Sequence, residues 1–302
     1  MMVRYERPYS HAAHWARRLA RIGFVIFALS LAAHRFGPLT TPHFLALAGC
    51  AVAFALLAVL LATVGLTRLW KVAAIGGTAS VSALFYAALP LGFFLHGAAQ
   101  YLARPAIYDV STDPVTPPPW IKAPVAEESW ITRRPIVTPE DREAQIAAYP
   151  GLTGRRYDGA LDRVFQSVRK VVEERRIATT AELGVENARA DLEDLAVGPG
   201  AGADTNREPE AIPVPATRPA PDIEAGIPGR DASDIVLQGE WRTLIAGFRF
   251  DVLIRLREEA ETTLVDLRVA SRYGQHDLGM GAKFAEEFLR ALDAELLGIA
   301  GD

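Results

Sequence analysis

The chain has 302 residues, 50% of them hydrophobic and 23% charged, with a net charge of −4. That length has room for about two structural units, and the slightly acidic balance supplies no cationic face of the kind nucleic acid requires. The single cysteine, Cys50, excludes an internal disulfide and has no companion thiol for a metal site.

Arg4, Arg7, Arg17, Arg18 and Arg21 make residues 1–21 a basic tail. From residue 22 to residue 95 the only charged side chains are Arg35, Arg68 and Lys71. A membrane span needs about 20 apolar residues to cross roughly 30 Å of hydrocarbon. The runs 43–66 and 72–95 meet that length without a charge. The first run, 22–33, is shorter. It reads as a span reaching Leu39 with Arg35 snorkelling to the interface, or as a signal-peptide core ending at the small residues Ala32 and Ala33. The spans that follow at once, without a clear cleavage site, favour the retained helix. The expectation is three transmembrane helices at about 22–39, 43–66 and 72–95, together filling residues 22–97.

Positive charge gathers before the first span and in the 67–71 turn, which places both in the cytoplasm. Everything after residue 95 then lies outside, in the periplasm of a bacterium, and the host membrane is the inner one. The third span carries Gly76, Ser80, Ala79, Ala83 and Ala87, small residues that allow close helix packing within the bundle or against a membrane partner. No Asp, Glu or Lys sits mid-span, so a self-contained transporter lacks an ion carrier.

Residues 105–139 hold eight prolines, including Pro117, Pro118 and Pro119, and must run extended. Trp120, Ile121 and Trp130 suggest that this stretch lies along the domain. An amphipathic helix follows at about 160–176, with Leu161, Val164, Phe165, Val168, Val171 and Val172 on one face and Asp158 as its N-cap. The Gly-, Ala- and Pro-rich stretch 198–221 marks a disordered insertion, 184–222 in its widest extent.

Residues 235–248 read as one long bent strand or a pair, and 249–257 with 262–270 as a hairpin around 258–261. Alternation puts Phe250, Val252, Ile254 and Leu256 on the core face with Val265, Leu267 and Val269. Pairing 257 with 262 would set Asp251 across from Arg268, with Asp266 diagonal to Asp251 and Arg255. A loop, 271–281, then leads to a second amphipathic helix whose stripe is Phe284, Ala285, Phe288, Leu289, Leu292 and Leu296. The fold class is α+β: one domain, 105–302, an antiparallel sheet with helices packed on one face, attached to an N-terminal all-α bundle of three transmembrane helices.

The segments Ile107-Tyr-Asp-Val-Ser-Thr-Asp113, Gly247-Phe-Arg-Phe-Asp-Val-Leu-Ile-Arg255, Val265-Asp-Leu-Arg268 and Ser271-Arg-Tyr-Gly-Gln-His-Asp-Leu-Gly279 follow a recognisable order and spacing. Together they resemble the bacterial domain of unknown function 1499 family over about 107–176 and 223–296. Phe250, Gly281 and Phe284 depart from the usual Asp, Asn and Arg. The resemblance implies a cell-envelope setting behind membrane spans and brings no reaction with it.

Two groups of residues are candidates for chemistry. Asp251, Arg255, Asp266 and Arg268 form either an ion-pair ladder that orders the hairpin or the floor of a polar pocket. Ser271, Arg272, His276, Asp277 and Gly279 lie on a loop that opens a helix, where backbone amides and an arginine can hold an anion. Ser271, His276 and Asp277 are too close in sequence for a catalytic triad, and Asp277 serves better as a helix cap. No catalytic residue, metal set or cofactor motif can be named. The expected role is a membrane-anchored envelope module for binding or scaffolding. The alternatives are an enzyme acting on an anionic substrate, with Arg272 as anchor and His276 or Asp266 as acid/base, and an accessory subunit of a membrane complex. The implied partners are the lipid bilayer, a membrane protein met through the spans, and a small anionic or polar ligand.

Overall fold

The computed structural model describes residues 8–125, 130–133, 136–188, 231 and 233–298. The disordered insertion expected at 184–222 lies outside the described residues from 189 onward; residues 185–188 form a short 3₁₀ turn.

Three helices, α1 (His11–Phe36), α2 (Thr41–Val72) and α3 (Gly77–Ala103), form an up-down-up bundle, each long and apolar enough to cross a membrane. α1 begins well before the apolar run that announces it. The Ser10 side chain caps it by accepting from the Ala13 amide, and the helix passes straight through Arg17, Arg18 and Arg21. Hydropathy stops at the first charge, whereas backbone hydrogen bonding does not. The bundle interior is built of alanine: Ala16 and Ala20, Ala58 and Ala62, and Ala83 are buried together. Ala79, Ser80 and Ala87 are buried as well, so the small residues of α3 are used inside the bundle. At Gly65 a side chain would run into Ser80 and Ala13, which shows how closely the three backbones approach. Tyr9 bridges Ile75, and the Ser10 amide donates to the Ile75 carbonyl at 3.0 Å. The start of α1 and the α2–α3 turn therefore share one end of the bundle.

The other end carries the domain. Its elements are β1 (Asp109–Ser111), α4 (Pro139–Ala148), β2 (Arg155–Asp158), α5 (Leu161–Glu174), β3 (Ala178–Leu183), β4 (Ile235–Arg242), β5 (Arg249–Glu258), β6 (Thr262–Ser271) and α6 (Met280–Leu296). The sheet is antiparallel, in the order β1-β6-β5-β4-β3, and β2 pairs with β6 beside β1. Residues 235–248 are one strand and a turn, since the chain bends back after Arg242. α5 starts at Leu161 with Ala160 in the cap position, and Asp158 instead ends β2, paired with Thr262.

α5 and α6 cover one face of the sheet. Val164, Val168 and Val171 from α5 and Phe284, Phe288 and Leu292 from α6 meet Val252, Ile254, Leu256, Val265, Leu267 and Val269. Fully burying one such side chain contributes about 1.5–3 kcal/mol, more than a typical exposed ion pair, so this layer dominates the stability.

The β5–β6 register is Arg255 opposite Asp266, Leu253 opposite Arg268 and Asp251 opposite Ala270. It differs from the sequence expectation by two residues. The last pair before the turn is Glu258 with Thr263, one residue further along than expected, and the Glu259 amide donates to the Thr262 carbonyl within the turn. Moving the loop by one residue preserves which side chains share a face and changes only who meets whom.

Two turns seat the domain on the bundle. His34 Nδ1 donates to the Ala246 carbonyl at 2.6 Å, Arg35 Nε donates to the Leu244 carbonyl at 3.0 Å, and Phe248 packs against the rings of His34 and Phe44. His276 Nε2 reaches the carbonyls of Tyr101 and Arg104 at the end of α3, both at 3.1 Å.

Candidate functional site

The second face of the sheet is polar, and the Pro-rich segment lies across it. β5 alternation brings Asp251 and Arg255 to this face, β6 brings Asp266 and Arg268, and β4 brings Gln238 and Glu240. Arg255 is buried and binds Asp266 Oδ2 through Nη2 at 2.6 Å, with Asp113 of the covering segment 3.5 Å away. The Thr112 hydroxyl donates to the second oxygen of Asp266. Arg272 reaches two carboxylates, Asp251 and Glu240, at 2.7 Å each.

These contacts fix the charge states. Burial alone would raise the Glu240 carboxyl, but the hydrogen bond from Arg242 and the charges of Arg272 and Arg249 hold it below its ordinary value. Asp113 is likewise lowered: burial works against ionisation, and hydrogen bonds from Thr116 and the charge of Arg255 overcome it. Carboxylates held ionised in this way are poor proton donors.

Gln238 fastens the covering segment. Its Oε1 accepts from the amides of Ile121 and Lys122 at 2.9 and 3.0 Å, and its Nε2 donates to the Lys122 carbonyl at 2.8 Å. Arg268 adds a second clamp. It donates to the Pro118 carbonyl at 2.8 Å, its guanidinium lies 4.9 Å from the Trp120 ring centroid, and it forks onto both oxygens of the buried Asp109. Asp109 is shared with Arg142 of α4 at 3.0 Å. In the same helix Gln145 satisfies both the amide and the carbonyl of Ser111, which closes the free edge of β1.

Between the covering segment and α4 opens a cleft of about 1020 Å³. Its walls combine Val115, Ile136 and Ile146, all largely exposed, with the guanidiniums of Arg133, Arg142 and Arg268. Arg133 is held by carbonyl oxygens, of Ser271 at 3.0 Å and Pro124 at 3.1 Å, and lies over the Tyr108 ring. Among the described residues no carboxylate pairs with it.

The loop 271–281 is occupied by its own contacts. The Ser271 hydroxyl donates to the Tyr273 carbonyl, and His276 stacks on Tyr101 and accepts from the Leu278 amide at its other nitrogen. The Asp277 carboxylate receives the amides of Gly279 at 2.7 Å and Gly281 at 3.0 Å, the donors that an external anion at the start of α6 would use. The cap position itself is Gly279, in the left-handed conformation. Burial raises the Asp277 carboxyl despite these two amides.

Residues 109–292 match the family model described as a protein of unknown function, DUF1499. The chain belongs to this family. No curated protein and no solved structure gave a match. Within the DUF1499 domain the opening segment, from Ile107, supplies β1 with Asp109 and the first residues of the cover. The central segment is β5 with Asp251 and Arg255. The closing segments are β6 with Asp266 and Arg268 and the loop that reaches α3. Asp251, Arg255, Asp266, Arg268 and Arg272 thus form one continuous polar layer, while Ser271, His276, Asp277 and Gly279 sit at the end of the sheet nearest the bundle. Reading the sequence missed Gln238, Asp109, Arg133 and Arg142. Asp109 lies inside the segment Ile107–Asp113; the two arginines come from irregular chain and a short helix, whose place on the sheet no periodicity reveals. Among the described residues no three His, Cys, Asp or Glu side chains cluster to hold a metal ion.

Proposed function

We propose that this protein is a membrane-anchored binding module of the cell envelope, whose DUF1499 domain faces the periplasm and holds an anionic, partly apolar molecule in the cleft between the covering segment and α4. The observation that carries this reading is Arg133: a guanidinium at an apolar-walled cleft, held by carbonyl oxygens and, among the described residues, not paired with a carboxylate. Arg142 and Arg268 stand beside it and share Asp109. Small-molecule sites commonly combine apolar walls with a few fixed polar groups in this way. The sidedness is supported by charge. Arg17, Arg18, Arg21, Arg68 and Lys71 lie toward the end of the bundle remote from the domain, against Arg35 and Arg104 at the domain end.

Native mass spectrometry of the full-length protein released from membranes tests the proposal. The wild type should carry a retained anionic adduct, and Arg133→Gln, with unchanged circular dichroism, should lose it. A wild-type protein that arrives as a bare polypeptide, or an adduct equally retained by Arg133→Gln, would sink the reading.

A further inference from the structure

The turn between β4 and β5 presents Leu244 and Ile245, 78% and 74% exposed, side by side at its tip. Adjacent aliphatic side chains this open at a turn tip form an apolar patch that a bilayer can cover. The level of the tip is fixed by its backbone, which is bound to the last turn of α1: the Leu244 carbonyl accepts from Arg35 and the Ala246 carbonyl from His34. Gly247, with φ +77°, lies so close to that turn that a side chain would meet Arg35 Cα at 3.2 Å. Just beyond, α1 ends at Phe36, 86% exposed, and α3 ends with the exposed Tyr101 and Leu102. Aromatic residues at span ends mark the interface of a bilayer, and basic residues in the same turn mark its headgroup layer. The arms below the tip are joined by the pair Arg242 and Arg249, whose guanidiniums lie near the single carboxylate Glu240.

From this placement we infer that Leu244 and Ile245 are inserted in the outer boundary of the same bilayer that holds the three helices, with Arg35, Arg242 and Arg249 at the level of the lipid phosphates. The occupant is lipid because the tip is tied by two hydrogen bonds to a helix end whose own exposed side chains continue the apolar belt. The domain is therefore held at a fixed height and orientation on the membrane, and the cleft beside β1 is set at a fixed distance from the surface. Tethering by the α3 connection alone would leave the domain free to tilt.

The inference is tested on the full-length chain in vesicles of phosphatidylglycerol and phosphatidylethanolamine. In a Cys50→Ser background, Leu244→Cys and Ile245→Cys carry a spin label, and Glu261→Cys, in the exposed turn at the far end of the β5–β6 hairpin, serves as the aqueous reference. Relaxation by dissolved oxygen should exceed relaxation by a water-soluble nickel chelate at 244 and 245, and the order should reverse at 261. Nickel accessibility at 244 and 245 equal to that at 261 overturns the inference. A folded Arg35→Ala/His34→Ala variant labelled at 244 provides the second arm: its label should move toward water. A label equally deep without those hydrogen bonds would refute the latch as what sets the depth.

Discussion

Arg255 and Asp266 face each other directly across the β5–β6 hairpin, 2.6 Å apart, with side chains 2% and 3% exposed. The pair is buried because the covering segment closes over it, bringing Thr112 onto Asp266 and Asp113 toward Arg255. Two charges in so dry a place are tolerated only while they compensate each other.

Asp266→Ala strands the buried guanidinium with Asp113 as its remaining acid, and should cost about 3–5 kcal/mol in urea denaturation of the detergent-purified chain. The double change Arg255→Met/Asp266→Leu should cost clearly less than the single one. A loss below about 1 kcal/mol for Asp266→Ala would show the pair to be energetically a surface pair.

The spans, the apolar alternation of β5 and β6 and the stripes of α5 and α6 were legible in the sequence because each is a local periodicity. The pairing of Arg255 with Asp266 was not. A four-residue loop closes around 258–261 or 259–262 with the same residues facing the core, so burial cannot choose between them. Hydrogen bonding at Glu259 and Thr262 does. The proline run was legible as extended chain, but its place on the polar face depends on Gln238 and Arg268, more than a hundred residues away. The candidate loop 271–281 was legible as a helix entrance. That its amides would be taken by Asp277, and its histidine by the end of α3, depends on contacts made by the folded chain alone.

Gln238 makes three hydrogen bonds to the backbone at 121 and 122. Gln238→Ala leaves those groups to find water, so the covering segment should open locally before the sheet unfolds. Hydrogen exchange at Ile121 and Lys122 should accelerate, with the free energy of that local opening lowered by about 1–3 kcal/mol, while exchange in β5 is little changed. Unchanged protection at 121 and 122 would mean that the other clamps, Arg268 among them, fasten the cover without Gln238.

Glu240 sets an acid limit. Its carboxyl is more acidic in the folded chain than its ordinary value of 4.5 because Arg242, Arg272 and Arg249 outweigh its burial. A lowered folded pKa adds stability that is complete above pH 4.5 and is lost as the pH falls through the folded value. Glu240→Gln should therefore lower the thermal midpoint at neutral pH and flatten its fall in acid. Parallel midpoint-against-pH curves for the two proteins would show that Glu240 does not contribute to it.

Asp277 has the opposite sign. Burial raises its carboxyl above 3.8, so the folded chain binds a proton more readily than the unfolded chain, and ionisation withdraws stability as the pH rises through the raised value. Its oxygens still accept the amides of Gly279 and Gly281, two of the donors that the start of α6 leaves outside its own backbone bonding. Asp277→Asn removes the charge and keeps an acceptor oxygen for only one of the two amides, so it gives up one bond, and its stability relative to the wild type should improve as the pH climbs from 3.8. Asp277→Ala loses both bonds and should cost about 0.5–2 kcal/mol at every pH. Thermal midpoints of the three proteins across the acid range decide the matter: a difference between the asparagine variant and the wild type that does not change with pH would mean that burying the Asp277 charge costs the folded chain nothing.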